Sequence, residues 1–130
     1  MWLLKTEPSE YGYDDLEREG RAVWDGVANP VALRNLRAMK AGDGVIVYHT
    51  GQQRAAVGQA QVARAAYPDP KAGDPRRVVV DLVAVRRLPV VPLPTIKAAA
   101  CFAGSPLLRQ GRLSVVPLTR EQWRALGGRP

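Results

Sequence analysis

The sequence predicts a single α+β domain built on a small, curved, mixed sheet or barrel of about five to six strands, with short helices packed outside. Three observations predict it. The chain has 130 residues, enough for one real core and too few for two ordinary domains, so 1–130 reads as one unit. Its extended segments follow one another without the regular helix alternation of a βαβ fold. The stretch Val78-Val79-Val80-Asp81-Leu82-Val83-Ala84-Val85 is apolar on both faces apart from Asp81. A strand of that kind is covered on both sides, as in a small barrel with helices outside it.

Trp2 to Thr6 reads as the first strand, stopped by Pro8. Tyr13 to Glu19 reads as a short helix, with Asp14 and Asp15 at its positive end and Gly20 after it. Ala22 to Trp24 is a brief extended piece. Val31 to Lys40 is a helix with Ala32, Leu36 and Met39 on one face and Leu33 beside them. Arg34, Arg37 and Lys40 form a basic stripe on its surface, suited either to solvent or to phosphate. Ala41-Gly42-Asp43-Gly44 is turn chemistry. Val45 to Thr50 is a strand, in which alternation sends Tyr48 and Thr50 one way and His49 the other. Without a bulge, Tyr48 and His49 therefore line different pockets.

Ala55 to Tyr67 is a long extended segment with Gly58, Ala60 and Val62 on one side and Gln59 and Gln61 on the other. Gly58 inside it marks a bulge or a close backbone approach. Pro68 to Pro75 is an exposed loop, and Arg76 to Leu88 is a strand. Pro89, Pro92 and Pro94 are expected to break the chain into a connector. Thr95 to Phe102 then reads as a short helix carrying Cys101, and Ser105 to Arg112 as irregular or one helical turn. Leu113 to Leu118 is the last strand. Thr119 and Gln122 have capping-box spacing for a final helix, with Leu118 and Trp123 at the staple positions and Gly127-Gly128 ending it.

Lys and Arg outnumber Asp and Glu by 19 to 12, giving net charge +7 and favouring an anionic partner, nucleic acid first. With one cysteine, Cys101, no internal disulfide forms, which fits a reducing cytoplasm. With one histidine as well, a Cys/His zinc site within a single chain is not expected. Met1-Trp2-Leu3-Leu4 is too short for a signal-peptide core, and no apolar run reaches membrane-spanning length. A monomer is the expected state, and neither a cofactor nor a membrane partner is expected.

The stretch Trp24-Asp25-Gly26-Val27-Ala28-Asn29-Pro30 puts an aromatic, a carboxylate, a flexible glycine and a carboxamide side by side. An aromatic face stacks on a flat ligand, and a carboxamide pairs with a base edge as donor and acceptor. The same residues also fit a plainer role, with Trp24 in the core, Asn29 as a helix N-cap and Pro30 as the first helical residue.

Lys5-Thr6-Glu7-Pro8-Ser9, Trp24-Asp25-Gly26-Val27, Asn29, Met39-Lys40-Ala41-Gly42-Asp43, Tyr48-His49-Thr50 and Arg112-Leu113-Ser114-Val115 occur in this order along the chain. Together they resemble the EVE domain, a family of the PUA-like superfamily, to which YTH and ASCH domains are related. The resemblance runs from Trp2 to Trp123. It implies a PUA-like barrel with a nucleobase pocket that reads modified bases, chiefly modified cytosines in DNA, with modified RNA as the other class. The chain departs from the family pattern at Ala28, where the family usually has Arg. The family also usually has an aromatic near Pro30 and an Asn near Arg34, and often Ser where Thr50 stands. Losing the cation at Ala28 removes a phosphate or base contact and leaves the fold unaffected.

On this reading Trp24 is the stacking platform, worth about 1–3 kcal/mol per base, and Tyr48 a second wall. Asn29, Thr6 and Ser114 are candidates for the base edge, with His49 beside them. Lys5, Arg34, Arg109 and Arg112 are candidates for phosphate, sugar or rim. Plainer roles stand next to these: a Lys5–Glu7 ion pair at the strand end, Arg112 bonded to backbone carbonyls, Ser114 as an ordinary strand hydroxyl and His49 as a hydrogen-bonded strand residue. No catalytic residue is expected. The chain has no nucleophile-elbow motif, no phosphate-loop motif and no deaminase zinc signature. Cys101 in an apolar stretch reads as packing. The alternatives to a reader are an RNA- or protein-docking adaptor and, behind it, a small hydrolase acting on a modified nucleotide.

Overall fold

In the computed structural model, which describes all 130 residues, the strands are β1 (Trp2–Thr6), β2 (Arg21–Trp24), β3 (Gly44–His49), β4 (Ala55–Pro68), β5 (Val78–Pro92) and β6 (Val115–Pro117). They form one six-stranded sheet in the order β2-β5-β4-β3-β1-β6. Only β1 and β3 are parallel. Five short helices accompany the sheet: α1 (Tyr13–Glu19), α2 (Pro30–Ala38), α3 (Leu93–Ala98), α4 (Pro106–Arg109) and α5 (Arg120–Ala125). Leu3 and Leu4 on β1, and Val45, Ile46 and Val47 on β3, are fully buried although neighbours on a strand face opposite ways. These two strands are therefore covered on both sides; of the Val78–Val85 run expected to be so, residues 78–82 are buried but Val85 is 47% exposed.

Register shifts curve the sheet. They fall between Val47 and Tyr48 on β3 against β4, and at four places between β4 and β5. Each interrupts a ladder and adds local twist and bend. The edge strands β2 and β6 are not hydrogen-bonded to each other, so the result is a curved, barrel-like sheet with an open seam, not a closed ladder.

Among the boundaries that differ from the sequence reading, three have a visible cause. The strand expected to end at Leu88 continues to Pro92. Pro89 lies opposite the register shift between Ala56 and Gly58, where no ladder hydrogen bond is required of it. The helix expected over Thr95–Phe102 starts at Leu93 and ends at Ala98, and Cys101 sits in a separate 3-10 turn, Ala100–Phe102. Ala99 between them is extended, which stops the helix. The helix expected to reach Lys40 ends at Ala38, because the Asp43 carboxylate accepts the Lys40 N–H at 2.9 Å and turns the chain early. Asp43 also accepts the Trp2 indole N–H at 3.0 Å.

The final helix follows its sequence signal closely. Thr119 Oγ1 accepts the Gln122 N–H at 3.1 Å, and Gln122 Oε1 accepts the Thr119 N–H at 2.9 Å. Leu118 and Trp123, the staple pair, are both buried. Asp81, the one acid in the long apolar strand, receives hydrogen bonds from Arg21 on the paired edge strand and from the Tyr67 hydroxyl. Burial would raise its carboxyl, but these two partners outweigh burial and hold it below the usual range.

Tyr13 joins helix and sheet. Its ring lies face-on over Gly58, where a Cβ would come within 2.4 Å of Cε2 and 2.5 Å of both Cδ2 and Cζ. Its hydroxyl donates to the Gln59 carbonyl at 2.7 Å, and its backbone N–H donates to His49 Nε2 at 2.9 Å. The bulge expected at Gly58 is the register shift between Ala56 and Gly58, and what lies close to it is this ring, a side chain and not backbone. Gly58→Ala should lower stability by about 1–3 kcal/mol, because neither the buried ring nor the backbone can yield freely. Chemical denaturation of the two proteins measures it, and an unchanged midpoint would show that the ring moves aside at little cost.

Candidate functional site

Where the seam of the sheet stays open, a cleft of about 520 Å³ forms. Val23 and Trp24 at the end of β2 give one side, and Lys5 and Thr6 at the end of β1 give the other. Ser114, just before β6, joins the second side because its carbonyl accepts the Lys5 N–H at 2.9 Å. Glu7, Glu10, Tyr11, Asp25, Gly26 and Val27 complete the lining. Gly26 has φ +79 with open space about its Cα, so glycine serves backbone conformation there.

Trp24 is 7% exposed. It is thus a core side chain that also walls the cleft, which combines both readings of the sequence. Its aromatic neighbour is Tyr11, edge-on with ring centroids 6.0 Å apart at 86°. Sequence reasoning did not single out Tyr11; its place five residues after Thr6 offers no periodic signal. Thr6 Oγ1 donates to the Tyr11 carbonyl at 2.6 Å, which fixes the bend after β1 and leaves that oxygen as an acceptor. Tyr11 Oη is itself buried without a hydrogen-bond partner. Burial first, then the nearby Glu19 carboxylate, push its hydroxyl up to about 12.

Several candidates lie elsewhere. Asn29 Oδ1 accepts the Val31 and Ala32 N–H groups at 2.9 and 3.1 Å, so its carboxamide caps α2 with Pro30 at the start. It lies outside the Trp24 cleft, in a shallow groove with Arg109 and Arg112. Arg34 is exposed on α2 and borders none of these clefts. Its neighbour Asn35 supplies the carboxamide that the family pattern leads one to seek there, donating to the Val115 carbonyl at 2.8 Å and tying α2 to β6. His49 is buried; because Nε2 accepts from Tyr13, Nδ1 carries the proton toward Gln53 Oε1 at 2.7 Å. Both ring nitrogens are thus engaged, Nε2 with α1 and Nδ1 with Gln53 in the loop after β3, and the imidazole does not line the cleft.

Tyr48 faces away from His49, as alternation requires, and lines a second cleft of about 270 Å³. It is therefore not the second wall opposite Trp24. Lys5 belongs to both clefts. Its Nζ donates to the Gly111 carbonyl at 3.0 Å rather than pairing with Glu7, and burial lowers its pKa. Glu7 instead accepts the Ser9 N–H at 3.1 Å. Arg112 is exposed and bonds to no backbone carbonyl, so the structural role considered for it does not apply.

The curved α+β sheet has the PUA-like fold. A structure of an ASCH protein from Zymomonas mobilis shares this fold at TM-score 0.61 with 10% identity, over 97% of this chain and 92% of that one. The chain belongs to the EVE domain family, whose model matches residues 1–127. Mouse thymocyte nuclear protein 1 is 32% identical over 94% of this chain and 70% of its own length. A crystal structure of a Pseudomonas putida protein superposes with TM-score 0.90 at 38% identity, covering 97% of this chain and 96% of that one. Human THYN1, crystallised in complex with DNA containing 5-methylcytosine, superposes with TM-score 0.83 at 30% identity, covering 95% and 92%.

All four tyrosines of the chain have raised hydroxyl pKa values. Burial is the leading cause for Tyr11, Tyr13 and Tyr48, and the hydrogen bond to Asp81 for Tyr67. The folded state thus holds these protons more tightly than the unfolded chain. Stability from this source is intact below the unfolded value of 10.0 and is lost as pH rises through the folded values, about 12 for Tyr11. Phenolate absorbance should titrate above 10 in the native protein and return to about 10 in denaturant; identical curves would contradict the buried settings.

Proposed function

We propose that this domain is a non-catalytic nucleic-acid-binding module that takes one modified cytosine of DNA out of the stack and into the Trp24 cleft. The observation that carries the reading is the cleft itself. It has an indole wall, an edge-on Tyr11 and hydroxyls from Thr6 and Ser114, on a chain 30% identical to a protein crystallised with 5-methylcytosine-containing DNA. A base entering from a duplex must be extruded, and the unpaired base then stacks on an aromatic face. Glu7, Glu10 and Asp25 border the cleft, and carboxylates accept from the exocyclic amine of cytosine. The apolar edge of Trp24 suits a methyl group at C5 of that base. Asn29, Arg34, Arg109 and Arg112 contribute outside the base cleft, where their charges and amide meet the flanking strand. His49 supports the site from beneath by holding α1.

Removing the indole tests this. Because Trp24 is also core, Trp24→Ala would cost about 3–5 kcal/mol of stability, so Trp24→Leu is the better probe. It should remain folded and lose about 1–3 kcal/mol of binding to an oligonucleotide carrying one 5-methylcytosine, roughly 5- to 150-fold. Binding to the unmodified oligonucleotide should change less. Fluorescence anisotropy measures both, and equal affinity of wild type and Trp24→Leu for the modified strand would remove the base from this cleft.

A further inference from the structure

The clefts on either side of Lys5 differ in charge. The one beside Trp24 is bordered by three carboxylates, Glu7, Glu10 and Asp25, against the single cation Lys5. A phosphate there would meet net repulsion. The one beside Tyr48 is bordered by three cations, Lys5, Arg54 and Lys97; the carboxylate set against its wall is that of Glu7, whose Oε2 a Cβ on Gly51 would meet at 2.4 Å, so cations outnumber it three to one. Its remaining walls are the Tyr48 ring, the apolar side chains of Leu93, Leu107 and Leu108, and the small residues Thr50, Gly51 and Gly111. Arg54 and Lys97 are exposed, and neither forms an ion pair. Lys5 is half-buried with one hydrogen bond, to a neutral carbonyl, and its ammonium has donors to spare. Three cations around a concave, partly apolar wall make a seat for an anion attached to a larger flat or apolar body.

We propose that the Tyr48 cleft is a phosphodiester seat, in which Lys5, Arg54 and Lys97 hold the backbone phosphate of the nucleotide next to the extracted base. The proposal rests on the reading of the Trp24 cleft as the base site and adds a direction to it: the strand crosses over Lys5. Arg54 is held for this task by an unusual backbone. Its φ of 47 places it in the left-handed region, and its Nε–H donates to the Gly51 carbonyl at 3.1 Å. The loop that bears Arg54 joins β3 to β4, and Lys97 lies on α3 just after β5. These two cations, 43 positions apart in sequence, meet because β4 and β5 pair at Ala55↔Pro92.

The test uses a single-stranded DNA oligonucleotide with one 5-methylcytosine, and 5-methyldeoxycytidine as a ligand without phosphate. Arg54→Gln and Lys97→Gln should each weaken oligonucleotide binding roughly 3- to 10-fold, and the double variant should flatten the dependence of log affinity on log salt by up to about 0.7, the contribution of one phosphate. Nucleoside binding, followed by NMR titration, should not change. Arg120→Gln, an exposed charge bordering neither cleft, should leave the slope alone. An unchanged slope in the double variant, or an equal change in Arg120→Gln, overturns the seat. Loss of binding in Trp24→Leu alongside an unchanged slope would sink the seat and spare the base site. A flattened slope with no preference for the modified base would do the reverse.

Discussion

The face of the Tyr13 ring against Gly58 is the contact on which the rest of the molecule depends. It occurs beside the register break that bends β4. A side chain at position 58 would push the ring off the sheet, and a straight ladder would turn it away. Tyr13 also fixes α1 through two hydrogen bonds, from its hydroxyl to the Gln59 carbonyl and from its backbone N–H to His49 Nε2. Once α1 is fixed, the segment before it carries Tyr11 and the segment after it becomes β2, which ends on Trp24. The aromatic corner of the cleft is therefore set from the opposite side of the helix. The only histidine of the chain acts as a buttress, with no nitrogen free for chemistry at the cleft.

Charge is distributed less simply than a net value of +7 conveys. Acidic groups gather around the aromatic cleft and cations around its neighbour, with Lys5 on the wall between them. A ligand matching this pattern is neutral and amine-bearing at one end and anionic at the other. A nucleotide has that form. A free anion would use only one cleft, and a neutral ring only the other. On the proposed reading, the net charge draws in the strand and the local charges sort its parts.

Local chemistry made many elements legible. The helix Tyr13–Glu19 and the Thr119–Gln122 box are set by residues within a turn of each other, so the sequence displays the whole interaction. The errors have one character. Pro89 breaks an isolated strand, but here it sits at a bulge whose existence depends on β4. Lys40 continues a helical pattern, but Asp43 takes its N–H. In the seam, Trp24 and Thr6 could be nominated from their types. Tyr11 could not, since its part comes from an aromatic partner 13 residues on. Asn29 looked the same whether it capped a helix or faced a ligand, and its carboxamide oxygen took the cap.

By itself the sequence determined the α+β class, the strands and helices to within a few residues, the opposition of Tyr48 to His49, and the family. These follow from periodicity, caps and ordered motifs, which act over short stretches or survive as a pattern along the chain. Only the tertiary structure decided that the sheet stays open at β2 and β6, that the opening is walled by Trp24, and that Tyr48 faces a different space. Those outcomes depend on register shifts between strands remote in sequence. Register is a property of pairs, which no single segment encodes.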